Sequence, residues 1–398
     1  MLHSFGSFPD AESPLAGMLA GKNGEYYGTT QSGGNPGNGA IYEVTAAGSE
    51  QVIYSFQSGT DGADPVSTLI MDKKGALYGT SDTGGSSGCE GPGCGTVFKL
   101  TPNQQGWTES VLYRFTGGND GGSPIGGLLM TKRGALLGTT VGGGSGGGVV
   151  FELMPSGSTY TETVVHEFSG SPDGLDPTDA LVSDSAGNLY GTTSEGGLTT
   201  CPSRSSSPGC GTVFKLAPSG SKYSYSVIYR FKGDADGIAP WASLLRGSNG
   251  VFYGLTMEGG ALGKGTAFEL TPKGSRYRET VLYSFKGRSH GAYPRSDLVE
   301  DRGGNLYGTT PFGGGAHCRD GCGTVFTLAP SGKTFTEHVL YTFQGPRAGD
   351  GAIPLGGVLI DRHRNLLGTT FNGGASHYGT IFSVCCAASS PTLREASP

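Results

Sequence analysis

A Gly-Thr-Thr-like triplet recurs seven times along the chain, at Gly28-Thr29-Thr30, Gly79-Thr80-Ser81, Gly138-Thr139-Thr140, Gly191-Thr192-Thr193, Gly254-Leu255-Thr256, Gly308-Thr309-Thr310 and Gly368-Thr369-Thr370. Successive glycines are 51, 59, 53, 63, 54 and 60 residues apart. A long, nearly fixed period marks a repeat protein, in which each unit is one module that buries its faces against its neighbours. Within each unit four short apolar runs alternate with turn residues, the pattern of strands. In the second unit they are Pro65–Ile70, Ala76–Tyr78, Thr96–Leu100 and Val111–Phe115. Aromatic and β-branched residues dominate the last two, as half-buried pleated strands require.

The fourth run recurs in the other units, from Val52–Phe56 to Val339–Phe343, and once more at the N-terminus as Leu2-His3-Ser4-Phe5. The last unit stops after its third run, Thr380–Val384. The chain thus begins with the strand that its last unit lacks. That complementarity predicts an all-β, seven-bladed β-propeller over residues 1–384 with four antiparallel strands per blade. The N-terminal strand joins the last blade, closes the ring and removes the open edge. Residues 385–398 are expected to form a polar tail.

Composition agrees with this reading. Glycine supplies 75 of 398 residues, which excludes helix bundles at about 1 kcal/mol per helical glycine, and its clustering excludes collagen. A content of 35% hydrophobic and 10% aromatic residues argues for a packed core. The net charge is −6 with no run of like charge, so nothing resembles an electrostatic footprint for nucleic acid. No apolar stretch nears the roughly 18 residues of a membrane span, so no membrane insertion is expected.

Three groups of residues carry a family resemblance: Asn-Leu-Tyr-Gly-Thr-Thr at Asn188–Thr193 and Asn305–Thr310, Gly-Thr-Val-Phe-Lys-Leu at Gly95–Leu100 and Gly211–Leu216, and Val-Leu-Tyr-Ser-Phe at Val281–Phe285. With an Asp-Gly-x-x-Pro turn, they make the chain from Leu2 to Val384 resemble the tandem GloVer repeats of bacterial choice-of-anchor surface proteins. The resemblance implies a secreted or cell-surface bacterial repeat protein of largely undefined biochemistry.

With strands lettered A to D outward from the channel, the B–C and D–A loops share the face on which propellers generally bind ligands. The D–A loops carry Asp-Gly-x-x-Pro at Asp61–Pro65, Asp120–Pro124, Asp173–Pro177, Asp236–Pro240 and Asp350–Pro354. The first unit has Asp10 without the glycine, and the sixth has His290 in place of aspartate. Asp-Gly is a turn dipeptide, because Asp bonds nearby backbone and Gly supplies positive φ. The alternative is a ring of aspartates holding a structural calcium ion, with Asp234-Ala235-Asp236-Gly237 the nearest approach. No cofactor is required and no other metal site is read.

The B–C loops hold six of the eight cysteines, paired within one loop as Cys89/Cys94, Cys201/Cys210 and Cys318/Cys322. Spacings of 5, 9 and 4 suit local disulfides better than the short, fixed spacing of zinc sites. They point to an oxidising compartment, extracellular or periplasmic, with no signal peptide expected within these residues. Cys385 and Cys386 stay open between free thiols, a vicinal bond and an intermolecular link.

Residues shared by all units are accounted for by the fold, so departures of one unit from its siblings are the candidates for function. The residue after the A-strand proline is Leu15, Val66, Ile125, Thr178 or Leu355 in five units, but Trp241 in the fifth and Arg295 in the sixth. Arg288, His290 and Tyr293 lie just upstream of Arg295, and the B–C loops add Glu258, then Phe312, His317 and Arg319, then Phe371, His377 and Tyr378. Aromatic rings beside arginines suit stacking on sugars and bidentate pairing with acidic groups. The first expectation is therefore a monomeric, secreted or cell-surface module that recognises carbohydrate, acidic polysaccharide included, or another surface ligand.

The alternative is an enzyme acting on an extracellular polysaccharide at the same face. In a polysaccharide lyase, the favoured enzymatic reading, Arg288 or Arg295 would neutralise a uronate while His290 or Tyr293 removed the C5 proton. In a glycoside hydrolase, two of Asp82, Glu195 and Glu258, read as matching B–C positions, would flank the scissile bond. Solvated loop variation is the bland alternative for each of these residues. His3, His166, His338 and His363 fall on D strands or the A–B turn and read as structural.

Overall fold

Each repeat forms a four-stranded antiparallel sheet, and seven such sheets build the ring. The structure, a computed structural model, describes residues 1–385 except 8, 90, 158, 202–207, 275, 316–317 and 333. From the channel outward, the first blade is Leu19–Ala20, Glu25–Thr30, Ala40–Thr45 and Glu50–Ser55. The seventh is Leu359–Ile360, Asn365–Thr370 and Thr380–Cys385, completed by the N-terminal His3–Ser4. His3 pairs with Ile381 and Ser4 with Thr380, so the ring closes as expected. Among the described residues no helix is long and apolar enough to cross a membrane.

The repeated triplet has a stereochemical reason. Its glycine lies under the aromatic ring of the C strand: a Cβ on Gly191 would come within 2.5 Å of Phe214 Cζ and 2.9 Å of Leu181 Cδ2. Its first threonine reaches the A segment of the next blade. Thr29 Oγ1–H donates to the Ser67 carbonyl at 3.0 Å, and Thr369 does the same across the closure, to the Ala16 carbonyl at 3.0 Å. Its second threonine shares a hydrogen bond with the first C-strand residue, Thr193 with Thr212 and Thr370 with Thr380, at 2.8 Å each. Gly191→Ala is expected to cost about 1–3 kcal/mol by overpacking, read as a lower urea midpoint at unchanged slope.

Strand extents differ from the sequence expectation. The A strand of blade 2 is Ile70–Met71 instead of Pro65–Ile70, because the residues just after the proline give carbonyls to the neighbouring blade's threonine and leave the ladder. The outer strands run further than their apolar cores, as polar hairpins such as Thr96–Asn103 with Gly106–Arg114. The B–C and D–A loops do share a face. Short antiparallel ladders stitch them together, Gly174–Leu175 with Glu195–Gly196 for example, or single bridges such as Ile238 with Glu258. Gly196 must be glycine there, since its φ is +81° and a Cβ would lie 2.6 Å from Gly174 Cα.

Candidate functional site

The residues before the repeat prolines, from Ser13 to Ile353, all have left-handed backbone, with φ between 53° and 58°. A left-handed residue followed by the fixed φ of proline turns the chain sharply. All seven post-proline side chains, Leu15, Val66, Ile125, Thr178, Trp241, Arg295 and Leu355, line a single cavity of ≈ 450 Å³ on the ring axis. The Arg295 guanidinium lies over the Trp241 ring, 5.2 Å from its centroid, and Nε–H points to Met257 Sδ at 3.0 Å. Asp82 lines the same cavity from blade 2.

Two further lining residues, Asp179 and Asp297, escape a comparison of repeats made only at the post-proline position. Two and three residues after the proline, most siblings are Gly, Ala, Ser or Thr, so the same comparison carried one and two residues further along the chain finds both. Ser243, from blade 5, joins them: its Oγ–H donates to Asp179 Oδ1 at 2.7 Å and its backbone N–H to Asp297 Oδ1 at 2.9 Å. Ala180 N–H also donates to Asp179 Oδ1 at 2.7 Å. The two carboxyls lie within hydrogen-bonding reach of each other. Protein surrounds them in depth, while the cavity keeps each residue partly exposed. Burial raises both above the usual carboxylate range, and the neighbouring Asp297 charge raises Asp179 further. Like charges this close oppose each other's ionisation, in the same direction as burial. Burial also raises Asp82, opposed by a hydrogen bond from Ser123 and assisted by Asp64.

The Asp-Gly aspartates serve the blade interfaces. Asp61, Asp120, Asp236 and Asp350 accept from the D-strand tyrosines Tyr54, Tyr113, Tyr229 and Tyr341 at 2.6–3.0 Å. Each also accepts a backbone N–H at the start of its own turn. On the far side Asp10, Asp61, Asp120 and Asp236 face glutamates of the following D strand, Glu50, Glu109, Glu162 and Glu279. Burial, then the adjacent aspartate, pushes Glu50 up to about 8 and the other three up to about 7.

Where the set departs from this pattern, a histidine enters it. His166 stands for the tyrosine where Tyr225 stands for the glutamate, their rings stacked at 3.7 Å. His290 stands for the aspartate and bonds Glu337 through Nδ1 at 2.7 Å, the Glu337 side chain being 2% exposed. His3, Asp10 and Glu50 are the one His/Cys/Asp/Glu triple among the described residues whose ligand atoms lie within 4.8 Å of one another. They occupy the same three positions at the ring closure. Asp236, the nearest approach to a calcium loop in the sequence, is engaged by Tyr229 and by Lys232 N–H.

The expected site residues therefore fall into separate places. Trp241, Arg295 and Asp82 line the axial cavity. Arg288, Tyr293 and Phe312 line an outer pocket of ≈ 300 Å³ with Lys264 and Asp320. The Lys264 ammonium sits 4.6 Å from the Tyr293 ring centroid and 2.5 Å from its hydroxyl. Phe312, Arg319 and His377 line a second outer pocket of ≈ 410 Å³, and Glu258 a third with Asp234. The four residues grouped as a lyase centre are divided, with Arg295 on the axis, Arg288 and Tyr293 outside it and His290 at a blade interface.

Asp82, Glu195 and Glu258 are not equivalent either. Asp82 directly follows its triplet and faces the axis, whereas the two glutamates stand one residue later, in the stitching ladders. Alternation along extended chain sends successive side chains to opposite sides. Phe371 is half-buried, and Tyr378 packs against the closure core with Ile381. His317 and Cys386 lie outside the described residues. The disulfides Cys89–Cys94, Cys201–Cys210 and Cys318–Cys322 all form, with Cα atoms 5.2, 4.9 and 5.1 Å apart, and Cys385 is exposed and free.

A closed ring of seven repeats with an axial cavity lined from every blade defines a propeller-type repeat protein. The chain belongs to the Gloeobacter/Verrucomicrobia repeat family, whose pattern matches residues 1–202 and again residues 198–395. No curated protein is significantly similar to it in sequence. Its fold is similar to that of an ulvan-degrading polysaccharide lyase, with a TM-score of 0.54 and 11% identity over 96% of this chain and 95% of the other. A candidate 6-phosphogluconolactonase from Bacteroides uniformis gives 0.54 and 12% over 94% and 98%. The extracellular domain of a candidate one-component system from B. thetaiotaomicron gives 0.57 and 9% over 95% of this chain but 39% of the other, well under half of its length. At these identities the likeness is one of fold.

Proposed function

We propose that the protein is an extracytoplasmic carbohydrate-binding propeller that takes a neutral sugar unit in its axial cavity. The observation that carries this reading is the convergence of all seven post-proline side chains on one cavity, with an indole and two adjacent carboxyls among its lining groups. A sugar presents an apolar C–H face and a hydroxyl edge, matching a ring on one side and carboxyl oxygens on the other. Asp82, Asp179 and Asp297 stand against one lining arginine, which disfavours a polyanion on the axis. Saccharide chemistry in the names of two fold neighbours supports the ligand class, and three disulfides in short loops support an oxidising compartment. An acidic polysaccharide would instead meet cations in the outer pocket, where Lys264 and Arg288 accompany Tyr293.

A glycan array followed by calorimetry tests the proposal. Trp241→Ala is expected to weaken binding of the best neutral glycan by roughly 30-fold or more, the scale of a buried aromatic anchor. Arg288→Ala is expected to leave it unchanged. The reverse pattern, with acidic glycans on the array and unsaturated product released from them, would move the site to the outer pocket and make the protein a lyase.

A further inference from the structure

We infer that Asp179 and Asp297 act as a proton-sharing acid–base pair that hydrolyses an ester carbonyl on a sugar bound in the axial cavity, whether a lactone or an O-acyl group. The inference rests on the axial cavity being the sugar site. Its first support is adjacency. Glycoside hydrolysis needs two carboxyls standing about 5–9.5 Å apart on opposite sides of the anomeric carbon, and this pair, bridged by Ser243 and within hydrogen-bonding reach of each other, cannot supply both. Adding water to a carbonyl needs a base for the water and an acid for the carbonyl oxygen side by side, which is what two carboxyls sharing one proton provide.

The second support is that the fold does not call for acids at these positions. Blades 1, 3 and 7 carry Ala16-Gly17, Gly126-Gly127 and Gly356-Gly357 in the same places and close equally well, while two neighbouring carboxyls set deep in the protein are costly to retain. The third is rigidity. Ser243 and Ala180 fix three hydrogen bonds to the pair at 2.7–2.9 Å, so both oxygens are oriented before any ligand arrives. Trp241 and Arg295 line the same cavity.

In the step itself, the carboxylate takes a proton from water as the water oxygen bonds to the ester carbonyl carbon, and the carboxylic acid gives its proton to the carbonyl oxygen. Collapse of the tetrahedral adduct breaks the ester C–O bond. The carboxyl that took the water proton gives it to the leaving alkoxide while the other carboxylate takes back a proton from an adduct hydroxyl, giving one acid and one alcohol and restoring the pair with its single proton.

The test uses the full chain with two probes, D-glucono-1,5-lactone and acetylated xylo-oligosaccharides, followed by pH-stat titration of released acid. Hydrolysis above the buffer rate is expected for one of them, and the reactive probe identifies a lactone or an acyl source. Asp179→Asn and Asp297→Asn should each lower the rate roughly 10²–10⁴-fold, the usual contribution of acid–base catalysis. The wild-type pH–rate profile should be bell-shaped, with limbs that belong to the pair. If calorimetry shows Trp241-dependent sugar binding but neither probe is hydrolysed, the acid–base role is overturned and the binding site stands. If neither binding nor hydrolysis is found, both fall. Should the Asn variants fail to fold, the wild-type profile decides, and a rate that simply rises with hydroxide concentration overturns the inference.

Discussion

Raising the pH from about 5 to about 9 is expected to remove roughly 5 kcal/mol of unfolding free energy, most of it between about pH 5 and pH 8. The source is the set of blade interfaces, where Glu50, Glu109, Glu162 and Glu279 face Asp10, Asp61, Asp120 and Asp236. Burial, reinforced by the facing aspartate, lifts Glu50 from 4.5 to about 8 and the other three to about 7. A carboxyl raised on folding is fully accommodated below its unfolded value, and its contribution is lost as pH rises through its folded value. Allowing for the partial solvent exposure of these side chains, each amounts to about 1–2 kcal/mol. Arg114 beside Glu109 and Lys232 beside Glu279 oppose the shift in part.

The acid limit comes from other groups. Asp72, Asp184, Asp301 and Asp361 are held below 3.8 by turn N–H groups and neighbouring side chains, which outweigh their burial. Their contribution is present above that value and fails below it, so the optimum falls near pH 4–5. Urea unfolding at a series of pH values measures the curve. Replacing the four glutamates by glutamine, a neutral isostere, should flatten it. Stability that rises from pH 5 to pH 9 would show that the interfaces are not proton-dependent.

Phe5→Ala is expected to cost about 3–5 kcal/mol, the range for a fully buried phenylalanine. Phe5 is wholly buried, packs edge-on against Tyr42 at 5.2 Å, and directly follows the His3–Ser4 strand that closes the ring. Leu2 N–H to the Ile381 carbonyl at 2.8 Å and Phe5 N–H to the Gly379 carbonyl at 3.1 Å fix its register. Deleting residues 1–5 should go further and expose Thr380–Cys385 as an unpaired edge, which invites association between chains. Urea unfolding gives the first quantity and sedimentation the second. A cost below about 1 kcal/mol for Phe5→Ala would mean that the closure contributes little beyond its two paired residues.

What was legible in the sequence was whatever the repeat writes locally. The blade count, the four-strand pattern, the closing strand and the three disulfides follow from period and from pairing within one loop. The two-residue A strands do not, because Thr29 and its equivalents bond carbonyls in the next blade, 38 residues away in the case of Ser67. The interface sets were hidden for the same reason. Tyr54, Asp61 and Glu109 come from two D strands and a loop, and His290 stood out as a departure while its partner Glu337 lay 47 residues further on. Comparing repeats at one position found Trp241 and Arg295. Asp179 and Asp297 needed the same comparison one and two residues later, and only the ring brings blades 4 and 6 together across Ser243.

The most direct measurement is a crystal structure of the protein soaked with the tightest glycan from the array. The account predicts one sugar unit on the ring axis, its apolar face toward Trp241 and its hydroxyl or carbonyl edge toward Asp179 and Asp297. A sugar seated over Tyr293 and Phe312, with the axial cavity holding only solvent, would contradict it.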